Sequence, residues 1–230
     1  MRTSRDNTAG HDMRQRIKKV ACDLLIRKGF RGASYGDIAT ALGITTTNIH
    51  YHFGPKKKLV EEVVQDYVRN ALTRQSKNWL NPDTSLPEKL SGVLAFNAER
   101  YRKFNRGSVG GRPWSLIGRL RLESDLLSPP AREALTEFST QVQSYVLTAV
   151  RIARDKGELK ADSPVDDIAF LLTSIVNTSS TFTQEAGNIE RLADYFHTVS
   201  RVVEAAYASP NKRARGNTER HRAGKSASGV

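Results

Sequence analysis

The sequence predicts an all-α protein, and three observations carry that prediction. Apolar residues recur at helical spacing through almost every long segment. Cap and breaker residues punctuate those segments at helix-length intervals. No stretch shows sustained period-two alternation between turn signals, so no strand is expected. The architecture expected is an N-terminal three-helix unit containing a helix-turn-helix, followed by a larger helical domain.

Each element has its own reason. Arg14 to Lys28 reads as a helix because Ile17, Val20, Ala21, Leu24 and Leu25 recur at i, i+3, i+4, i+7 and i+8. Gly29 stops it as a C-terminal cap. Ser34 starts the second helix, with Asp37 three residues on as a variant of the capping box. Ile38, Ala39 and Leu42 form its buried face and Gly43 ends it. Thr45 is an N-cap for a helix from Thr46 to about Phe53, which Gly54 and Pro55 terminate. Pro55 suits the first turn of the next helix, whose apolar face runs through Leu59, Val60, Val63, Val64 and Val68 to about Trp79.

Further helices are expected over Glu88 to Phe104, Trp114 to Leu122, Ser128 to Lys156, Pro164 to about Glu185, and Ile189 to Ala208. The loops "LNPDTSLP" and "NRGSVGGRP" separate the first of these from its neighbours. The resulting division is a basic flexible arm over 1–13, a helix-turn-helix unit over 14–55, a larger helical domain over 56–208, and a basic disordered tail over 209–230.

Composition narrows the function classes. The 230 residues carry a formal net charge of +12, with basic clusters at both ends and at Lys56, Lys57 and Lys58. Such an excess favours polyanionic partners. No run approaches the ~18 apolar residues of a membrane span, so no membrane partner is expected. The first residues lack the apolar core of a secretory signal, and a cytoplasmic location is expected. Cys22 is the single cysteine, so no internal disulfide forms, and its core-like neighbours mark it as an inert small side chain.

The stretch "GITTTNIHYHFGPKKKLV" carries the chemistry. Two short helices joined by a tight glycine-containing turn make a helix-turn-helix, whose second helix enters the major groove N-terminal end first. Thr46, Thr47 and Asn48 occupy its first turn. Threonine hydrogen-bonds a base or packs its methyl on thymine, and asparagine pairs with adenine. Tyr51 and His52 lie where a hydroxyl or imidazole reaches phosphate, and Lys56 opens the next helix, whose N-terminus also favours phosphate. Taken alone, Thr46 to Asn48 also read as an ordinary exposed polar turn. Cap, turn and basic flank together favour DNA.

The segment "FRGASYGDIATALGITTTNIHYHFGPKKKL" resembles the DNA-binding signature of the TetR family of transcriptional regulators. The matching positions are Ser34, Ile38-Ala39, Gly43-Ile44, Thr45 to Asn48, His50 to Phe53, Lys56 and Leu59. His50, where the family more often has tyrosine, and Lys57, often acidic in relatives, depart from the pattern. The resemblance implies a DNA-facing set of Ser34, Thr45, Thr46, Thr47, Asn48, His50, Tyr51, His52 and Lys56. It also implies that the larger domain binds a ligand and dimerises. The implied partners are a double-stranded, pseudo-palindromic operator, a second copy of the chain through the last two helices, and an unknown small-molecule effector that releases the repressor from DNA.

The larger domain is less legible. The resemblance places an effector pocket among the middle helices, with Phe96, Arg100, Phe104, Trp114, Tyr145, Phe170, Thr173 and Asn177 as candidates. Arg100 and Arg119 read either as contacts to an acidic ligand or as a solvated face, the second being the simpler reading. Leu171, Ile175, Phe196, Val199 and Val203 are the candidate dimer contacts. No metal or cofactor is expected: His50 and His52 at i and i+2 point apart on a helix, with no third ligand nearby. There is no phosphate loop, nucleophile elbow or zinc spacing, so no enzyme is expected. A constitutive DNA-binding protein without an inducer, and an enzyme with a degenerate helix-turn-helix, stand as the alternatives. The basic tail reads equally as a DNA tether or a solubilising terminus.

Overall fold

The structure, a computed structural model, describes residues 3–107 and 111–210. Among these residues there are nine α-helices, one 3-10 turn and no strand. The helices are α1 (Thr3–Gly32), α2 (Tyr35–Leu42), α3 (Thr46–Phe53), α4 (Lys56–Trp79), α5 (Leu86–Asn105), α6 (Leu116–Arg121), α7 (Pro129–Asp155), α8 (Val165–Ala186) and α9 (Glu190–Tyr207). The 3-10 turn at Ser124–Leu126, which the sequence did not suggest, joins α6 to α7. No helix among the described residues is long and apolar enough to cross a membrane.

The caps read from sequence form as expected. Ser34 and Asp37 make the complete capping box of α2: Asp37 N donates to Ser34 Oγ at 3.1 Å and Ser34 N to Asp37 Oδ2 at 3.0 Å. Thr45 Oγ1 accepts from Asn48 N at 3.2 Å and starts α3. Gly43 closes α2 in the left-handed conformation, φ 66°.

One boundary differs from expectation and another lies outside the described residues. The arm expected to be flexible over 1–13 is helical from Thr3 onward, as the start of α1. Once the buried stripe through Ile17, Ala21 and Leu25 nucleates the helix, extending it backward adds a hydrogen bond per residue at little cost. The tail expected over 209–230 lies outside the described residues from 211 on.

A single apolar core runs from Ile17 in α1 to Val203 in α9. Helix α1 packs on α2, α4 and α6, and α2 packs on α3. Helix α4 continues away from this unit to lie along α7, which packs on α8; α8 and α5 both pack on α9. Two ion pairs one helical turn apart stitch α1 to α4: Arg14 to Glu62, and Lys18 to Asp66 at 2.6 Å. The turn after α7 is pinned to the end of α9 by Lys160 N donating to Tyr207 O at 2.8 Å.

The corner at the end of α1 joins the two halves. Gly29 has φ 73° and bends the chain out of the helix. Phe30 N, just past the bend, donates to Glu123 Oε2, and Lys56 Nζ donates to Phe30 O. Arg119 in α6 donates to Lys28 O at 3.3 Å and pairs with Glu123 at 3.7 Å. A Cβ at Gly29 would lie 2.6 Å from Glu123 Oε2 and 2.7 Å from Arg119 Nη2. Gly29→Ala is therefore expected to destabilise the protein by at least about 1–2 kcal/mol, the cost of a left-handed non-glycine residue. Gly36→Ala, which meets only Ser34 Oγ at 3.5 Å, serves as the neutral or stabilising control in thermal unfolding.

Cys22 packs against the core. Burial, with the nearby Asp23 carboxylate second, pushes its thiol up to about 11. At pH 8 only about one molecule in a thousand then carries the thiolate. The native protein should react with thiol reagents far more slowly than the same chain in denaturant, as a chromogenic disulfide reagent would measure.

Candidate nucleic-acid interface

The interface is built on α3, and its geometry follows from what α3 hides. Ile49 and Phe53, one turn apart, are both buried. They pack into the core shared with Ile17, Leu25, Ile38, Leu59 and Val60. Arg14 covers the Phe53 ring, its guanidinium carbon 4.3 Å from the ring centroid, and donates to His52 O. With one face anchored, helical periodicity turns Thr46, Thr47, Asn48, His50 and Tyr51 outward.

The outward face is open. Tyr51 is 86% exposed, an unusual setting for a large aromatic ring. Among the described residues, the side chains of Thr46, Thr47 and Asn48 make no hydrogen bond, leaving two hydroxyls and one amide free at the leading end of the helix. No acidic residue lies in the first turn of α3.

The candidates divide into two groups. Thr46, Thr47, Asn48 and Tyr51 have free functional groups. The others are held in place by the protein. Thr45 spends its hydroxyl on the α3 cap and Ser34 spends its own on the α2 cap. His50 is exposed, but its Nδ1 sits 3.1 Å from Gly54 O and its ring meets Tyr35 edge-on at 4.7 Å. Tyr35 OH donates to the same Gly54 carbonyl at 3.0 Å, so His50 and Tyr35 together brace the turn into α4. His52 is half-buried beside Tyr51.

Lys56 differs from expectation. Its ammonium donates to Phe30 O and lies 4.6 Å from the Phe30 ring centroid. Desolvation there lowers its pKa. It braces the α1 corner, while Lys57 and Lys58 are exposed and Lys58 pairs with Glu61. The N-terminus of α4 has no side-chain cap, because Pro55 occupies the cap position, and its first backbone N–H groups stay available to an anion.

Comparison with known proteins agrees with this geometry. The family model for bacterial regulatory proteins of the tetR family matches residues 17–63. A second, for tetracyclin repressor-like C-terminal domains, matches residues 116–205. This chain belongs to the TetR family. It is accordingly a DNA-binding transcriptional regulator. Among curated relatives, a segment is 30% identical over 91 residues to the HTH-type transcriptional repressor KstR2 of Mycolicibacterium smegmatis, covering 39% of this chain and 44% of that protein. KstR2 of Rhodococcus jostii is 30% identical over 64 residues, or 27% of this chain and 31% of that protein. The chain thus matches less than half the length of either. The TetR fold is shared with a TetR-family regulator from Agrobacterium tumefaciens: TM-score 0.72, 18% identity, 87% of this chain and 100% of that one. A regulator from Chloroflexus aurantiacus gives a TM-score of 0.71 at 18% identity, over 88% of this chain and 99% of that one.

The larger domain redistributes the other candidates. Phe96, Arg100, Trp114 and Asn177 line one cavity of about 50 Å³ between α4, α5, α6, α7 and α8. The remaining pocket candidates are corrected. Phe104 is buried beneath Arg27, Arg100 and Lys103 and does not line it. Tyr145 lines a separate open groove between α4 and α7. Phe170 is 69% exposed on the outer face of α8, and Thr173 is buried outside the lining. Sequence reasoning missed Arg121, which lines the cavity; Arg119, for which a solvated face was the simpler reading, reaches the α1 corner, since two residues along a helix face different ways.

The dimer candidates divide. Ile175, Phe196, Val199 and Val203 are buried in the protomer's own core, whereas Leu171 is 39% exposed. The apolar residues left outside are Phe170 and Leu171 on α8 and Val202 on α9. The hydroxyls of α8 are largely satisfied by the preceding turn: Thr178 bonds Ser174 O at 2.8 Å and Ser179 bonds Ile175 O at 2.7 Å.

The α2 cap generates a pH prediction. Hydrogen bonds from Lys28 and then Ser34 hold the Asp37 carboxyl at about 2. Its unfolded value is near ~3.9, so the folded state binds the proton less readily. The cap's contribution is therefore complete at neutral pH and is lost as pH falls from about 4 toward 2. Asp37→Asn should remove that part of the acid limb in a plot of Tm against pH.

Proposed function

We propose that this TetR-family regulator is a cytoplasmic homodimeric repressor, released from a pseudo-palindromic operator by a small-molecule inducer. Residues 14–55 form the DNA-reading unit and 56–208 the effector and dimerisation domain. The observation that carries the DNA reading is the open front of α3: Thr46, Thr47, Asn48 and an 86% exposed Tyr51 on one face, while Ile49 and Phe53 anchor the other. Asn48 reads a base, Thr46 and Thr47 contact bases or phosphate, and Tyr51 and the α4 N-terminus hold the backbone. The repressor KstR2 of Mycolicibacterium smegmatis supports repression over activation by analogy alone.

The dimer forms through the outer faces of α8 and α9. Phe170 at 69% and Val202 at 56% exposure are apolar surface that a second copy would cover. Two-fold symmetry then sets two α3 helices against two half-sites. The inducer acts because it binds one spacing of those helices better than the other. Helix α4, which bears on both halves, and the α6 contact to the Gly29 corner carry the shift.

A constitutive repressor is the second reading, and the small cavity favours it. About 50 Å³ holds a few waters, against ~300–1,000 Å³ for ordinary ligand sites. Induction therefore requires the cavity to open.

Selection from genomic fragments, followed by gel-shift titration, tests the DNA reading. Asn48→Ala and Tyr51→Ala should keep the fold. Asn48→Ala should lower specific affinity by roughly ten- to a hundredfold, the 1–3 kcal/mol of a base contact. Tyr51→Ala should weaken specific and nonspecific binding alike. Unchanged footprints in both variants would remove α3 as the reading helix. Phe170→Asp should shift the protein toward monomer in sedimentation, where the parent sediments as a dimer.

A further inference from the structure

We infer that the cavity between α4 and α8 takes an organic anion, a carboxylate-bearing molecule with an apolar body, held by Arg100 and Arg121. This rests on the cavity being the effector site. Both guanidiniums line it, and no aspartate or glutamate does. Among the described residues neither forms an ion pair. The charge they bring is balanced only by neutral groups.

The positions of the two arginines are built rather than incidental. Arg100 lies over the rings of Tyr67 at 5.0 Å, Phe104 at 5.8 Å and Phe96 at 6.0 Å. It donates to Trp114 O at 3.3 Å, and its Nε is buried with no partner. Arg121 donates to Ser139 Oγ and lies 3.4 Å from Asn177 Oδ1, with Phe138 below it at 6.0 Å. Burial lowers the Arg121 pKa, as expected for a cation with no counter-charge. An independent observation marks the same space. Asn97 is 6% exposed, lines the cavity, and its Nδ2 has no acceptor. Buried donors without acceptors are rare in finished cores and mark places where a partner is missing.

The missing partner is an acceptor carrying negative charge. A carboxylate supplies two acceptor oxygens in a plane that fits guanidinium donors. The wall also holds Tyr67, Phe96, Trp114, Phe138 and Val176, which suit an apolar or aromatic body, beside the neutral polar groups of Gln75, Asn177 and Ser180. A dianionic phosphate, more strongly hydrated, fits such a wall poorly. The closeness of α6 to α8 limits size: a Cβ at Gly118 would lie 2.1 Å from Ser180 Oγ, so the ligand enters by moving these helices apart.

The test uses the full-length protein with octanoate and 3-phenylpropanoate as probes, each against its primary amide. Binding is read by thermal shift and by tryptophan fluorescence, since Trp114 is part of the wall. At least one acid should bind saturably and at least tenfold tighter than its amide. Arg100→Gln and Arg121→Gln should each weaken it at least tenfold. Arg121→Met, which keeps the stem and volume, guards against a glutamine variant that fails to fold. Amides binding as well as acids, acid binding unchanged in both arginine variants, or no saturable response to either acid up to about 10 mM would overturn the inference. Operator release is scored separately. An acid that binds through the arginines without releasing DNA leaves the anion site standing and removes the inducer reading. Amides that release DNA as well as the acids do the reverse.

Discussion

The burial of Ile49 and Phe53 is the constraint on which the rest of the DNA-reading unit depends. An eight-residue helix has no stability of its own in water, and α3 exists because two apolar side chains one turn apart are removed from solvent. The same two contacts set its rotation about its axis. They fix the backbone so that the threonines, Asn48 and Tyr51 face outward, leaving only side-chain rotamers to be ordered when a partner is met. Arg14 seals the arrangement from the other side, over the Phe53 ring and onto His52 O, while its second contact, to Glu62, ties α1 to α4.

That unit shares one continuous apolar core with the larger domain and is fixed to it at one corner through backbone atoms. At the α1 corner Glu123 takes the Phe30 N–H, Arg119 reaches Lys28 O, and Lys56 reaches Phe30 O. A left-handed Gly29 makes room for the Glu123 carboxylate. Charge-assisted bonds of this kind are directional. They hold one relative position of α6 and α1 and weaken quickly when it changes.

The cavity itself is tense in an electrostatic sense. Two guanidiniums stacked on aromatic rings keep their charge there without an anion, and Asn97 keeps an unused donor. Aromatic faces offset part of that cost. The remainder is what a bound acceptor would relieve.

The sequence by itself determined the helices, their caps and the outward face of α3. Ser34, Asp37, Thr45, Gly43 and Pro55 act through neighbours three or four residues away, and Ile49 and Phe53 announce their face by spacing alone. The order and type of the elements were legible for the same reason. Only the tertiary structure decided which apolar residues of α8 and α9 look inward. Ile175, Phe196, Val199 and Val203 turn into the protomer, while Phe170 and Val202 stay outside. Periodicity reports that a helix has an apolar face, but not which of two partners covers it. The same limit left Arg121 unmarked beside Arg119. Both are arginines on one short helix, and only the packing of α6 between α1 and α8 determines which of them meets the cavity. Lys56 is the last case: its pull toward phosphate is local chemistry, whereas its capture by Phe30 depends on a chain reversal 26 residues away, which no local pattern records.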